Sequence, residues 1–135
     1  MLPKPPADRP PVATPLTIAV IEDEGFVLRS VTWMLEKEGF EVVGYIDAAP
    51  ALAECQFDEV DLILTDLAMP RRGEQLIKEV RSRGINTPII VMSANLTQAS
   101  NTSLAALGAQ AVLQKPFEND ELLSMVNSLR VLPDL

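Results

Sequence analysis

The sequence predicts an α/β fold in which a five-stranded parallel sheet is doubly wound, with helices on both faces. Five short apolar segments, rich in β-branched residues, alternate with five segments of helical character. The apolar segments lack a polar residue at every second position, which is typical of strands buried on both faces. The chain has 135 residues, of which 47% are hydrophobic, enough for one domain with a real core and too few for two.

The two ends of the chain lie outside this predicted domain, which we place at residues 16–131. Residues 1–15 contain six of the eleven prolines and no periodic apolar pattern, so we expect a disordered proline-rich leader there. Residues 132–135 are expected to form a short C-terminal tail.

Composition excludes several classes of function. A net charge of −8, with Arg71-Arg72 as the longest basic run, argues against direct DNA binding. The chain has no histidine, so it cannot itself donate phosphate from a phosphohistidine. No apolar run approaches the roughly 18 residues of a membrane span, and no signal peptide begins the chain. Cys55 is the single cysteine of the chain, and we expect it to pack as a small hydrophobic residue. Because one cysteine cannot form an intramolecular disulfide and no export signal is found, we predict a cytoplasmic protein with no membrane partner.

The first half of the chain is predicted to contain three strands and two helices. The strands are expected at residues 16–21, 41–46 and 61–65, and the helices at residues 25–38 and 48–54. The apolar face of the first helix consists of Val27, Val31, Met34 and Leu35. Gly39 ends this helix, and Trp33 lies off its apolar face as a partly exposed packing residue. Asp47 can cap the second helix, and Pro70 cannot continue the ladder of the third strand.

The second half is predicted to contain two more strands and three more helices. The strands are expected at residues 88–92 and 111–114, and the helices at residues 74–81, at residues 97–107 and after residue 119. Gly84 ends the third helix, and Asn119 is predicted to cap the last one. The fourth helix is the weakest of the five, because its first half consists of Gln, Ser, Asn and Thr residues that are mediocre helix formers.

Reactive side chains follow four of the five predicted strands. Glu22 and Asp23 follow the first strand, Asp66 the third, Ser93 the fourth and Lys115 the fifth. Each has an ordinary alternative as a helix cap, turn residue or surface charge. Because the carboxyl ends of parallel strands share one edge of a sheet, however, these groups can converge in one crevice.

The predicted crevice has the composition of a phosphoryl-transfer site. Three carboxylates close together repel one another, so at least one of their pKa values should be raised. Mg²⁺ relieves this repulsion, because it binds carboxylate oxygens, a backbone carbonyl and several waters. A phosphoryl group could then lie between the metal and Lys115. Because a carboxylate can act as a nucleophile, these groups support phosphoryl transfer to Asp66.

Four segments of the chain, in their order and spacing, resemble the receiver domain of two-component response regulators. These segments are Ile18-Ala19-Val20-Ile21-Glu22-Asp23-Glu24, Thr65-Asp66-Leu67-Ala68-Met69-Pro70, Met92-Ser93-Ala94 and Lys115-Pro116-Phe117. The resemblance runs from about Leu16 to Leu129. It implies the chemotaxis-type, flavodoxin-like fold with strand order 2-1-3-4-5.

The resemblance also implies roles for the strand-end residues. Asp66 would be the phosphoacceptor, receiving its phosphoryl group from a histidine kinase or a histidine phosphotransfer protein. Ser93 and Lys115 would contact the phosphoryl oxygens, and the bond between Lys115 and Pro116 would be cis, as in roughly 5% of X–Pro bonds.

A magnesium site is implied beside the phosphoacceptor. Asp23 and Asp66 would bind Mg²⁺, Glu22 would contact it through water, and Ala68 would contribute its backbone carbonyl. Mg²⁺ is therefore the cofactor that we expect.

The sequence departs from the family pattern at three positions. Val112 stands where the family usually has a switch aromatic, which puts the usual inward swing of that side chain in question. The loop from Pro70 to Gly73 is one residue shorter than usual, which could reshape the backbone near the site. Glu22 replaces the commoner Asp and reaches further.

We interpret the chain as a signalling switch that binds a downstream protein target when phosphorylated, and not as an enzyme beyond its own phosphorylation and dephosphorylation. The expected output surface comprises helix 97–107, the fifth strand and the last helix. Met1 and the proline-rich leader favour a stand-alone regulator over a fragment of a hybrid kinase, and onward relay to a phosphotransfer protein is a variant. The oligomeric state stays open.

Two other classes remain as alternatives. One is a receiver-like binding module that works without phosphorylation. The other, less favoured, is an aspartyl-phosphate phosphatase of the haloacid-dehalogenase type, because Ala68 stands where those enzymes carry a second Asp. Nucleotide binding ranks lower still, since no glycine-rich phosphate loop follows the first strand.

Overall fold

Five parallel strands form one sheet in the order β2-β1-β3-β4-β5. The structure, a computed structural model, describes residues 16–67, 72–94 and 98–130. The strands are β1 Thr17–Ile21, β2 Glu41–Tyr45, β3 Leu62–Asp66, β4 Ile89–Ser93 and β5 Ala111–Gln114. The predicted fold class and strand order are therefore confirmed. The predicted leader at 1–15, the tail at 132–135 and the sites at Ala68 and Pro70 lie outside the described residues.

Helices connect the strands and cover both faces of the sheet. They are α1 Gly25–Lys37, α2 Ala48–Glu54, α3 Arg72–Ser82, α4 Gln98–Leu107 and α5 Asn119–Arg130. Asp47 caps α2 as predicted, because its Oδ1 accepts a hydrogen bond from the Ala48 N–H at 2.7 Å. The predicted cap at Asn119 is wrong by one position, since Asn119 is already helical. At this end of α5, Oε1 of Glu121 instead accepts from the Glu118 N–H at 2.8 Å.

Two apolar layers, one on each face of the sheet, hold the domain together. The first lies under α1 and α5 and contains Val31, Met34, Leu35, Leu122 and Val126; the second lies under α2, α3 and α4 and contains Ala51, Leu76, Ile77, Val80 and Leu104. The central strands β3 and β4 are buried along their whole length, because apolar layers cover both faces of the sheet there. These observations confirm the apolar face predicted for the first helix, α1.

Two residues outside the site also have the predicted environments. Cys55 is buried in the second apolar layer. Trp33 is 62% exposed on α1, and the Lys37 ammonium lies 5.0 Å from the centroid of its ring, within the range of a cation–π contact. Within the described ranges, none of the helices is both long enough and apolar enough to cross a bilayer.

The register of the sheet brings the carboxyl ends of four strands to one edge. Ile21 is paired with Thr65, Asp66 with Met92, and Ser93 with Gln114. The strands β3 and β4 each run one residue further than predicted, so Asp66 and Ser93 belong to the strands themselves.

Candidate functional site

The four strand ends place all five predicted side chains that lie in described residues on the same edge. Glu22 and Asp23 follow β1, and Lys115 follows β5. Two backbone hydrogen bonds extend the sheet past its last strand residues, from Leu67 N–H to Met92 O and from Lys115 N–H to Ser93 O, both at 2.8 Å. The sheet therefore fixes the backbone at the start of the segments that follow β3 and β5.

Lys115 bridges two acidic side chains in the centre of this edge. Its Nζ lies 2.9 Å from Oε1 of Glu22 and 3.3 Å from Oδ2 of Asp66. Glu22 is 0% exposed and Asp66 is 1% exposed, so both carboxylates have lost their bulk water. A buried carboxylate of this kind requires a cation or hydrogen-bond donors, and Lys115 supplies the cation.

A third carboxylate, that of the exposed residue Asp23, completes an acidic cluster with the two buried ones. Glu22, Asp23 and Asp66 each offer one carboxylate oxygen, and these oxygens all lie within 4.8 Å of one another. Such a set of oxygens matches the preference of Mg²⁺ for a few carboxylates together with retained water, and the exposed position of Asp23 leaves one side open to solvent. The residues therefore fit a divalent cation.

The electrostatics of the cluster follow from its burial. Burial raises the pKa of Glu22 to about 7 from an ordinary value of 4.5; hydrogen bonds from Lys115 and from the Glu24 N–H oppose this rise, and the neighbouring Asp66 adds to it. Burial alone would lower the pKa of Lys115, but Glu22 and Asp66 outweigh it and hold that pKa above 10.5. The site thus carries more negative charge than its one lysine neutralises, which favours a further cation.

Sequence reasoning missed two features of this site. The first is the direct ion pair between Glu22 and Lys115, which joins residues 93 positions apart. The second is Gly73, where a Cβ atom would lie 2.8 Å from both Asp66 O and the Cα of Leu67. A glycine directly after the Arg71-Arg72 pair is a visible signal in the sequence, but only the fold shows what it approaches.

The departures from the family pattern have different outcomes. Val112 is half-buried against the apolar layer that contains Leu104, so an aliphatic side chain occupies the position of the usual switch aromatic. Pro70 and Arg71 lie outside the described residues, and the other two positions of this loop, Arg72 and Gly73, already belong to α3. The cis bond between Lys115 and Pro116 is present as predicted.

Comparison with known proteins assigns the chain to a family. Residues 18–127 match the family model described as the response regulator receiver domain. The chain therefore belongs to the receiver domains of two-component response regulators. Its fold agrees, since the chemotaxis protein CheY4 of Vibrio cholerae superposes with a TM-score of 0.81 at 27% identity, over 86% of this chain and 99% of that one.

The curated relatives are longer proteins. The transcriptional regulatory protein DltR of Streptococcus agalactiae is 32% identical over 82% of this chain and 50% of its own length. The transcriptional regulatory protein CiaR of Streptococcus pneumoniae is 33% identical over 84% of this chain and 51% of its own length. The chain thus spans about half the length of these relatives. Because they are named as transcriptional regulators, the comparisons give no support to our prediction that direct DNA binding is absent.

Proposed function

We propose that this receiver accepts a phosphoryl group on Asp66 from a phosphohistidine of a partner protein and then signals by binding another protein. The observation that carries the proposal is the position of Lys115 Nζ, 3.3 Å from the buried carboxylate of Asp66 and 2.9 Å from that of Glu22. A cation held beside a nucleophilic carboxylate is placed where phosphoryl oxygens would need neutralisation.

The chain's own residues supply most of the chemistry. An oxygen of Asp66 would attack phosphorus, the new O–P bond forming as the P–N bond to the donor imidazole breaks and the imidazole retains its electron pair. Lys115 would turn from the Asp66 carboxylate to a phosphoryl oxygen, and Ser93, 5% exposed at the end of β4, would donate to another. Mg²⁺, when held by Asp23 and Asp66 and through water by Glu22, would neutralise charge that develops on the transferred group. The backbone carbonyl of Ala68 stays our predicted fourth ligand.

The phosphodonor is proposed to dock beside α1. A hollow of about 500 Å³ lies there, lined by Phe26, Met34, Phe117 and Lys115 among others, so its wall includes the lysine of the site itself. Phe26 is 73% exposed, a large apolar side chain left in solvent. Arg29 lies on the same side of α1, so we expect the partner to place an acidic residue beside its apolar contact surface.

A receiver that binds its partner without phosphorylation is the second candidate. Val112, in place of the usual aromatic, favours it, because one familiar means of transmitting phosphorylation is missing. We rank it second because each side chain that the chemistry needs is present and converges. A phosphatase ranks third among the candidate functions. For the location of the protein, we still expect the cytoplasm.

Intact-mass measurement after incubation with acetyl phosphate and Mg²⁺ tests the leading proposal. We expect a mass increase of one phosphoryl group in the wild type and in Asp58→Asn, an exposed aspartate on the 3-10 turn Phe57–Glu59, and none in Asp66→Asn. Equal labelling of Asp66→Asn would overturn the assignment. Absence of labelling in every variant, with unchanged partner binding, would favour the second candidate.

The docking surface has a separate test. Phe26→Ala should slow phosphoryl transfer from a partner protein while leaving labelling by acetyl phosphate unchanged. Ile46→Ala, which truncates another exposed apolar residue, 61% exposed after β2, should change neither rate. If both variants slow transfer equally, the hollow beside α1 is not the docking site.

A further inference from the structure

The guanidinium of Arg81, near the end of α3, makes an unusual set of hydrogen bonds. Nη1 donates to Ile85 O at 2.8 Å and to Thr87 O at 2.9 Å. Nη2 donates to Gly108 O at 2.7 Å and to Oε1 of Gln110 at 2.9 Å, and Nε donates to Gly108 O at 3.3 Å. All of these acceptors are neutral oxygens, and they belong to two separate turns of the chain.

Gln110 connects this set of bonds to the sheet. Its Oε1 also accepts from the N–H of Ile89, the first residue of β4, at 2.7 Å, and its own N–H donates to Ile89 O at 2.9 Å. One arginine and one glutamine therefore tie together the end of α3, the start of β4 and the turn between α4 and β5.

Because Gly108 has no side chain, the guanidinium of Arg81 can approach its backbone closely. Its φ of +119° lies in the region that favours glycine, and a Cβ atom there would lie 2.7 Å from Arg81 Nε. The Gly108 N–H bonds back to the carbonyls of Leu104 and Ala105 at 3.2 and 3.0 Å, which makes this residue the C-terminal cap of α4. Arg81 thus holds the last turn of α4 through the residue that ends it.

Among the α4 side chains that the structure describes, those of residues 102–107, two apolar ones pack against the core. Between residues 102 and 107, Leu104 is buried and Leu107 is half-buried, while the other four side chains are exposed. The first residue of the helix, Gln98, follows Ser93 by five positions, whereas the end held by Arg81 is about 15 Å further along a helix of this length.

We infer that Arg81 is the fixed pivot of α4, so that a change at the Ser93 edge turns the helix about its C-terminal end. The N-terminal end would then move most, and the expected output surface would change by rotation of a helix anchored at one end. Arg81 is a positioning residue in this scheme and does not contact the site.

Hydrogen exchange of the full chain, followed by mass spectrometry, tests the pivot in two arms. In the ligand-free arm, Arg81→Met should raise the exchange of the amides of residues 104–109 by about tenfold or more relative to those of β3 and β4. Arg83→Met is the matched control, since Arg83 directly follows α3 but pairs with Glu79 and donates to Leu52 O at 3.1 Å, away from α4; it should change neither region. Arg81→Lys, which keeps the charge and loses the planar fork, serves if Arg81→Met does not fold.

The second arm adds beryllofluoride and Mg²⁺, and it alone rests on the proposed function. In the wild type, the exchange of residues 98–101 should change while that of Gly108 and Ala109 stays the same; in Arg81→Met both should change. Exchange that rises uniformly across the domain, or equally in the Arg83 control, would overturn the pivot. A ligand that alters nothing in any variant would contradict the proposed function and leave the first arm to decide on Arg81.

Discussion

The ammonium of Lys115 lies 2.9 Å from Oε1 of Glu22, although the two residues are 93 positions apart. This contact closes the acidic edge of the sheet with an internal cation. A metal ion that neutralises Glu22, directly or through water, would compete with Lys115 for the same negative charge, which would couple metal affinity to the position of the lysine.

Removal of this lysine should expose the competition. We expect Lys115→Met to lower the free energy of unfolding at pH 8 by about 3 kcal/mol, because one partner of a buried ion pair is lost. Added Mg²⁺ should restore more stability to this variant than to the wild type. Urea unfolding with and without Mg²⁺ measures both effects, with Lys78→Met, exposed on α3, as the control. Equal Mg²⁺ stabilisation of variant and wild type would contradict the competition.

The stability of the metal-free protein should fall as the pH rises from about 5 to 8. The pKa of Glu22 is about 7 in the folded protein and 4.5 ordinarily, so the folded state binds more protons between these values. Its contribution is present below pH 4.5 and is lost as the pH rises through 7. Lys115 stays charged in this window, because its pKa is raised from 10.5. The slope due to Glu22 is at most about 1.4 kcal/mol per pH unit.

Glu22→Gln should remove most of this slope, whereas Glu59→Gln, a change at an exposed carboxylate, should leave it unchanged. Urea unfolding at four pH values in the presence of a chelator gives the slopes. A wild-type free energy of unfolding that increases over this pH range would show that folding does not raise the pKa of Glu22.

Asp23 should matter for the metal and little for the fold. It is exposed while its carboxylate oxygen lies within 4.8 Å of those of Glu22 and Asp66, so Asp23→Asn should leave the metal-free melting temperature within a few degrees of wild type. A ligand at a hundred times its Kd stabilises the folded protein by about 2.7 kcal/mol. Asp23→Asn should lose most of this stabilisation by Mg²⁺. Thermal unfolding across a Mg²⁺ titration checks this, with Glu24→Gln as the adjacent control; an unchanged Mg²⁺ increment would remove Asp23 from the metal site.

Gly73 should resist substitution because its missing side chain leaves room for the backbone of Asp66 and Leu67. A Cβ atom would lie 2.8 Å from Asp66 O and from the Cα of Leu67, so backbone must shift to admit it. We expect Gly73→Ala to cost about 1–3 kcal/mol and to slow labelling by acetyl phosphate. Gly25→Ala, whose Cβ would meet only Arg29 Nη1 at 3.4 Å, should do neither. Wild-type stability and labelling in both variants would show that the loop accommodates the methyl group.

The sequence predicts the elements of this fold well because each strand is a short, uninterrupted apolar run and each helix a periodic one. Even helix 97–107, with a polar first half, is found as Gln98–Leu107. The predicted boundaries differ from the observed ones by one or two residues. For example, β3 and β4 extend to Asp66 and Ser93, because these residues pair with residues of the neighbouring strands. The predicted cap at Asn119 is one residue too late, because Asn119 is already helical and the side chain of Glu121 accepts a hydrogen bond from the Glu118 N–H.

The site is predictable for residues whose position follows from a strand end, and less so for contacts that depend on distance. That Asp66, Ser93 and Lys115 share an edge follows from parallel topology. The ion pair of Glu22 with Lys115 depends on side-chain reach, and the bonds of Arg81 depend on two turns meeting. Neither leaves a pattern in the sequence, because the partners are separated by stretches of chain with no fixed length.

Trp33 gives the protein an intrinsic optical reporter. It is the single tryptophan of the chain, and it lines a second hollow on α1 that also includes Phe26 and Met34. Indole emission depends on the polarity around the ring, so a molecule that covers this hollow would shift the emission to shorter wavelength without any label. Association at α1 can therefore be followed in real time on the native chain, separately from chemistry at the sheet edge.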